Sequence, residues 1–314
     1  MPVNNGKFNQ NDLQQYGYLD FFAKQTVEGF IIGLHKSPFH GFSVEFAEHR
    51  LYNQGESTRF IDWKLFARTD KLFVKKFEEE TNLRCQIIID NSSSMYFPVK
   101  NNLSIDNPNK LYFAVYAAAV LLYLLRKQRD AAGLTVFSEQ TELHTEAKSN
   151  SVHHKFLFTE LEKLLLPYNP ENNKKTDSIK VLHEIAEKIH KRSLIILFSD
   201  MFDSNPDQNE IFSALQHLKY NKHEVILFHV ADYSKEFNLE FENKPMKFVD
   251  METKKEVKIY PYEVKNAFKS KISRYKEELK LKCGQYHIDF VEADINKGFN
   301  QILLPFLVKR SKLY

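Results

Sequence analysis

The sequence predicts a doubly wound, three-layer α/β/α fold with an N-terminal extension, and three observations carry that prediction. Two short apolar runs, 85–89 (C-Q-I-I-I) and 193–198 (S-L-I-I-L-F), each lead directly into an aspartate, Asp90 after the first and Ser199-Asp200 after the second. Runs of that apolar density belong to strands covered on both faces, as in a parallel sheet. From residue 83 onward, stretches with helical spacing alternate with such strands, as a doubly wound domain requires. Finally, 314 residues with 43% hydrophobic and 27% charged content give ample chain to bury a core in one large or two ordinary domains.

The elements follow in order. Residues 85–89 are the first core strand, and 111–129 its crossover helix. Residues 132–137 and 142–144 pattern as a hairpin turning at 138–140. Helices are predicted over 152–166 and 177–191, with the polar loop 168–175 between them. In the second, Ile179, Leu182, Ile185, Ala186 and Ile189 keep helical spacing, and Thr176 is placed to cap its N-terminus. The strand 193–198 follows, then a helix over 209–218, a strand over 224–230, and a long helix over 262–281. Short apolar pieces at 287–291 and 299–308 close the chain. The domain expected from this pattern spans 83–314.

Residues 1–82 have a different texture and are expected to pack on that domain. Residues 13–30 are dense in aromatics and helical in pattern, 41–52 alternate like a strand, and 72–77 are extended. Thr81-Asn82 is a candidate hairpin turn joining this segment to the first core strand. Trp63 is read as a packing anchor.

The chemistry concentrates at Asp90-Asn91-Ser92-Ser93-Ser94, a D-x-S-x-S run just past the carboxyl end of a strand. Open α/β sheets bind ligands at such ends. One carboxylate and two hydroxyls offer three oxygens to a hard cation such as Mg2+. Together with Thr176 at a helix start and Asp200 at a second strand end, the set Asp90, Ser92, Ser94, Thr176 and Asp200 resembles the metal-ion-dependent adhesion site of von Willebrand factor A domains. That resemblance implies direct contact of the serine hydroxyls with Mg2+ (Mn2+ or Ca2+ in its place). It further implies water-mediated contact of Asp90 and Asp200, and an open coordination position for a carboxylate of a partner protein. Asp203 is read as a solvated or helix-initiating acid.

A second resemblance covers nearly the whole chain. The stretch 45–81, which contains R-F-I-D-W-K-L-F-A-R at 59–68, is similar to domain-of-unknown-function family fifty-eight. The pieces L-I-I-L-F-S-D-M-F-D at 194–203 and F-V-D-M-E-T-K-K-E-V-K-I at 248–259 also fit it. The family usually carries G-D-D where this chain has Gly55-Glu56-Ser57, which retains one acid and loses the other. Membership implies a von Willebrand A-like domain behind the leading segment, and a role as adaptor to a MoxR-type AAA+ ATPase or to its client.

Other classes fare worse. No G-x-S-x-G elbow, G-x-x-x-x-G-K-[ST] loop or H-E-x-x-H helix is present. A phosphoryl-transfer enzyme built on Asp90 would want a second aspartate where Ser92 stands. A metal-dependent hydrolase using the same cluster is the alternative to the non-enzymatic reading. The net charge of +3 does not call for nucleic acid, and the basic stretch 265–282 is read as a solvated face. The uncharged run 111–125 is shorter than the roughly 20 residues a spanning helix needs. With a polar N-terminus lacking a signal peptide, the expectation is a cytoplasmic protein. Cys85 and Cys283 follow no metal spacing and are read as unpaired, with Cys85 a small core hydrophobe. His153 and His154, the one adjacent histidine pair, are expected at the surface.

Overall fold

The computed structural model describes residues 17–35, 49–51, 63–75, 83–166, 178–202, 208–251 and 254–311. Its elements, in chain order, begin with α1 (Tyr18–His35), β1 (His49–Leu51), α2 (Trp63–Thr69) and β2 (Phe73–Lys75). They continue with β3 (Arg84–Asp90), α3 (Lys110–Lys127), β4 (Ala131–Phe137), β5 (Thr141–His144), α4 (Ser151–Lys163) and α5 (Ser178–Lys188). The rest are β6 (Leu194–Ser199), α6 (Gln208–Tyr220), β7 (Glu224–Ala231), β8 (Met246–Val249), β9 (Glu256–Ile259), α7 (Pro261–Gln285), β10 (Asp289–Asp294) and α8 (Asn300–Ser311).

The chain divides into two compact units: Met1–Val27 with Leu83–Tyr314, and Glu28–Asn82. The larger unit holds a six-stranded sheet of order β10-β7-β6-β3-β4-β5. All its pairings are parallel except that of β5, which returns antiparallel to β4 as the expected hairpin. This is the predicted doubly wound α/β architecture.

Helices cover both faces. On one face, α5, α6 and α7 bring Leu182, Ile185, Phe212, Leu215 and Leu279 onto Ile88, Ile195, Leu197, Val225 and Leu227. On the other lies α3, buried almost throughout between the sheet, α4 and α8. A helix apolar on all sides has no solvent face to keep, and Ala114, Ala117, Ala118 and Ala119 let it approach the strands closely. Among the described residues no helix is long and apolar enough to cross a membrane. Gly133 in β4 is a second close approach. A Cβ there would run into Gln86 Oε1 and meet the Thr145 carbonyl at 2.6 Å.

The first helix belongs with the larger unit through its N-terminal half. Leu19, Ala23 and Val27, at i, i+4 and i+8, are fully buried. Asp20 accepts two hydrogen bonds from Arg126 of α3, at 2.6 and 2.7 Å, and Phe22 meets Tyr116 edge-on at 4.8 Å. In the smaller unit β1 and β2 pair antiparallel. There Trp63 is 60% exposed and lies perpendicular to the Phe66 ring, with centroids 6.1 Å apart.

Several elements depart from the sequence reading. The β8–β9 hairpin and α2 have no counterpart in it. His154 is buried rather than exposed, and His153 hydrogen-bonds the Ala132 carbonyl at 3.0 Å. Because α4 lies against α3 and β4, one residue of that adjacent pair turns inward while the other reaches the start of β4. Cys85 and Cys283 are both buried and unpaired. Thr176, the Thr81-Asn82 turn, Asp203, Gly55-Glu56-Ser57, Arg59 and Asp62 lie outside the described residues.

Candidate functional site

The strand order places a crevice beside Asp90. From β3 the chain crosses through α3 to β4 on one side, whereas β6 pairs on the other side and continues to β7. Connections leaving β3 and β6 in opposite directions open the sheet at their carboxyl ends, where α/β folds place ligands. Asp90 is the last residue of β3, and Asp200 immediately follows β6.

The turn after β3 is built by its own polar groups. Ser92 N–H donates to Asp90 Oδ1 at 2.9 Å, and a short 3-10 turn follows over Ser93–Tyr96. Ser92 occupies its N-cap position, yet the side chain makes no capping bond. Its hydroxyl instead lies 3.0 Å from that of Ser94. Asn91 anchors the turn from outside, donating to Glu142 at 2.8 Å and accepting from the Tyr96 hydroxyl at 2.8 Å.

Ser199 joins the two strand ends, its hydroxyl donating to Asp90 Oδ2 at 2.7 Å. Asp200 Oδ1 accepts from Phe202 N–H at 3.1 Å, and its Oδ2 accepts from Lys110 Nζ at 2.6 Å. Lys110 also donates to Glu236 Oε1 at 2.6 Å. Glu236 comes from the wide turn Tyr233–Phe237 that follows β7. Asp90, Ser92, Ser94 and Asp200 are therefore brought to one end of the sheet, with Asp90 only 1% and Asp200 0% exposed.

The electrostatics follow from burial. Desolvation, with the Asp200 charge beside it, pushes the Asp90 carboxyl up to about 7, against the lowering effect of its bonds from Ser199 and Ser92. Desolvation alone would weaken the Lys110 ammonium, but Asp200 and Glu236 outweigh it and hold its pKa above the ordinary lysine value. Burial also pushes the His229 imidazole, in the next strand, down to about 4.

The donor set suits a hard divalent ion. All candidate ligands are oxygens. Cis ligands of an octahedral ion with bonds of about 2.1 Å lie roughly 3.0 Å apart. The Ser92 and Ser94 hydroxyls already have that separation. Each carboxylate oxygen has further lone pairs beyond the bonds named. Among the described residues no group of three or more His, Cys, Asp or Glu is arranged to hold a metal, so the hydroxyls are essential to any ion site here.

Lys110, Ser199 and Glu236 are site residues that motif spacing did not single out. Lys110 left one trace, as the charge immediately before the uncharged run 111–125. Ser199 and Glu236 left none, since an isolated serine or glutamate near a strand end is ordinary.

Residues 48–278 match the family described as "Protein of unknown function DUF58". The chain belongs to the DUF58 family. Relatives outside this chain include the uncharacterized proteins Rv1480 of Mycobacterium tuberculosis and Mb1516 of Mycobacterium bovis. Each is 32% identical over 79 residues, and that match spans 25% of this chain and 25% of the relative. Among solved structures, this DUF58 chain is similar to the conserved hypothetical protein BatB from Bacteroides thetaiotaomicron. That similarity is 14% identity at a TM-score of 0.42, covering 74% of this chain and 100% of BatB. An aerotolerance-related membrane protein from Bacteroides fragilis gives 15% identity and a TM-score of 0.44 over 72% of this chain and 99% of that one. The SpRpn10 VWA domain gives 13% and 0.31 over 48% and 75%.

Proposed function

We propose that this protein is a non-enzymatic, Mg2+-dependent protein-interaction module, acting in the cytoplasm as an adaptor for a MoxR-type AAA+ ATPase or its client. The observation that carries the metal part is the Ser92–Ser94 hydroxyl pair at 3.0 Å beside the buried Asp90 carboxylate. Asp90, Ser92, Ser94 and Asp200 would hold the ion, with Thr176 as the fifth position. Mn2+ or Ca2+ would serve in place of Mg2+ where their sizes are tolerated. A bound ion supplies positive charge and an exchangeable position that an acidic side chain of a partner can fill. The ATPase as partner rests on the family resemblance.

The alternative is a metal-dependent hydrolase on the same cluster. One observation favours it: Asp90 is pushed up to about 7, into the range of a working general base. Against it, both Asp90 oxygens are held by Ser92 and Ser199, and the side chain is almost fully enclosed.

Pull-down from cell extract with and without chelator, for wild type and Ser92→Ala/Ser94→Ala, tests the reading. The expected result is an AAA+ ATPase retained by wild type with Mg2+ and lost in the other three samples. Equal recovery in all four would exclude the metal face as the contact. Phosphoester or peptide turnover by the purified chain, lost in the double variant, would promote the hydrolase.

A further inference from the structure

Lys110 stands where elementary electrostatics disfavours a cation. It opens α3, and the N-terminus of a helix carries partial positive charge that repels an ammonium. It is also only 1% exposed, and burial of an unpaired ammonium is costly. What holds it is the pair of carboxylates, Asp200 Oδ2 and Glu236 Oε1, each 2.6 Å from Nζ. The rings of Phe97 and Phe202 flank the ammonium, with centroids 5.8 and 5.7 Å away.

Both carboxylates are fixed at their other oxygens. Asp200 Oδ1 accepts from Phe202 N–H, and Glu236 Oε2 accepts from Asp232 N–H at 2.8 Å. Asp200, Lys110 and Glu236 thus form a rigid bridge between the turns after β6 and β7, and Asp90 sits beside it on β3. Counting formal charges, the three carboxylates and one ammonium leave the cluster at −2 when all are ionised. One divalent ion neutralises that charge. The same cluster without Lys110 would stand at −3.

We propose that Lys110 is the charge-setting residue of the metal centre, a built-in monovalent cation that moderates divalent-ion affinity through the net charge of the cluster. This deepens the metal reading given above and rests on it. Of the proposed ligands Lys110 touches Asp200 alone, so its action on an ion is electrostatic and through the positioning of that carboxylate. Because the ammonium is buried, bulk water does little to screen it from an ion on the Asp90 side.

A charge series tests the proposal, with Mn2+ as the probe followed by titration calorimetry and electron paramagnetic resonance. Glu236→Gln sets the cluster at −1, wild type at −2, Lys110→Met at −3, and Lys110→Met/Glu236→Gln returns it to −2. The expected order is Mn2+ affinity at least tenfold weaker in Glu236→Gln than in wild type, and at least tenfold tighter in Lys110→Met. The double variant is expected within threefold of wild type, which a purely structural role for Lys110 would not produce. The double variant also carries the test if Lys110→Met does not fold without metal. A double variant differing from wild type by tenfold or more, or a Lys110→Met that binds no tighter, would overturn the role of Lys110. Asp90→Ala in the same titration separates the two readings. Binding that is lost in Asp90→Ala while ignoring the charge series sinks only the Lys110 proposal. No Mn2+ binding by wild type and by every variant sinks the metal reading and this inference together.

Discussion

Ser199 holds Asp90 from the neighbouring strand: its hydroxyl donates to Asp90 Oδ2 at 2.7 Å and accepts from the Met201 N–H at 2.9 Å. One side chain therefore fixes the orientation of the β3 carboxylate and the path of the turn that presents Asp200. Met201 needs that support, since its φ of 52° lies in the left-handed region that residues other than Gly, Asn and Asp seldom occupy. The Tyr275 hydroxyl of α7 donates to the Met201 carbonyl at 2.5 Å and holds the turn from the other side.

Ser199→Ala should accordingly cost more than an ordinary buried hydroxyl. It removes a hydrogen bond to a charged group and leaves the Met201 N–H unsatisfied, together about 2–4 kcal/mol. The metal-free variant should show that loss in urea denaturation, with an unchanged m-value. A difference under about 0.5 kcal/mol, the range of neutral surface substitutions, would mean that Ser199 does not hold the site together.

The stabilisation by Mg2+ should depend on pH with a defined sign. Asp90 titrates near its ordinary 3.8 in the unfolded chain and at about 7 in the metal-free fold. Its contribution to metal-free stability is therefore full below about pH 4 and is lost as pH rises towards and through 7. The metal competes with the same proton, so the Mg2+-induced rise in Tm should grow from pH 6 to pH 8.5. Thermal melts at matched ionic strength, with and without Mg2+, measure it. An increment that shrinks over that interval would contradict this role for Asp90.

The sheet was legible because its strands are periodic and locally complete. Cys85 through Ile89 and Leu194 through Phe198 have no polar interruption except Gln86, and Gln86 is satisfied inside by Thr135 Oγ1 at 2.8 Å. The D-x-S-x-S run was legible as well, since its spacing lies within one turn. The Lys110–Asp200–Glu236 bridge was not, because its members are 90 and 126 residues apart from Lys110 and meet only through strand order. His154 was misplaced for a related reason. Burial of one histidine in an adjacent pair depends on which way α4 faces α3, and a short helix of mixed polarity leaves that orientation open.

His229 should limit stability in acid. It is fully buried in β7, facing Phe202, Phe237 and Phe290 with ring centroids 6.4, 6.1 and 5.5 Å away. Among the described residues neither of its ring nitrogens has a hydrogen-bond partner. With burial pushing it down to about 4 in the fold and an ordinary 6.5 in the unfolded chain, protonation favours unfolding. The His229 contribution to stability should therefore be level above pH 7 and decline as pH falls from about 6.5 to 4. It opposes the Asp90 contribution, so it is read as the difference between wild type and a His229 variant at each pH. At about 1.4 kcal/mol per tenfold in proton affinity, the decline is on the order of 3 kcal/mol. His229→Phe keeps the aromatic packing and removes the titrating nitrogens, so it should flatten this limb while leaving neutral-pH stability equal or higher. The difference in denaturant midpoint between wild type and variant from pH 4.5 to 8 decides the matter, and a difference that does not change with pH would acquit His229.

The start of the chain should prove part of the larger unit's core. Leu19 of α1 is fully buried, Asp20 forks onto Arg126, and Leu19 N–H donates to Glu162 of α4 at 3.4 Å. Removing residues 1–82 uncovers Tyr116 and Phe299, which the Phe22 ring otherwise covers at 4.8 and 5.6 Å, and leaves the Arg126 guanidinium without Asp20. Leu19→Ala alone should cost about 2–4 kcal/mol through lost burial and the cavity it leaves. A chain beginning at Leu83 should lose more than that single substitution, with a lower denaturant midpoint and apolar surface open to dye binding. The contrast between the two isolates the helix from the rest of the leading segment. A chain from Leu83 as stable as the full-length protein, beside a destabilised Leu19→Ala, would show that α1 is dispensable and that the single substitution harms the fold only by leaving a defect in it.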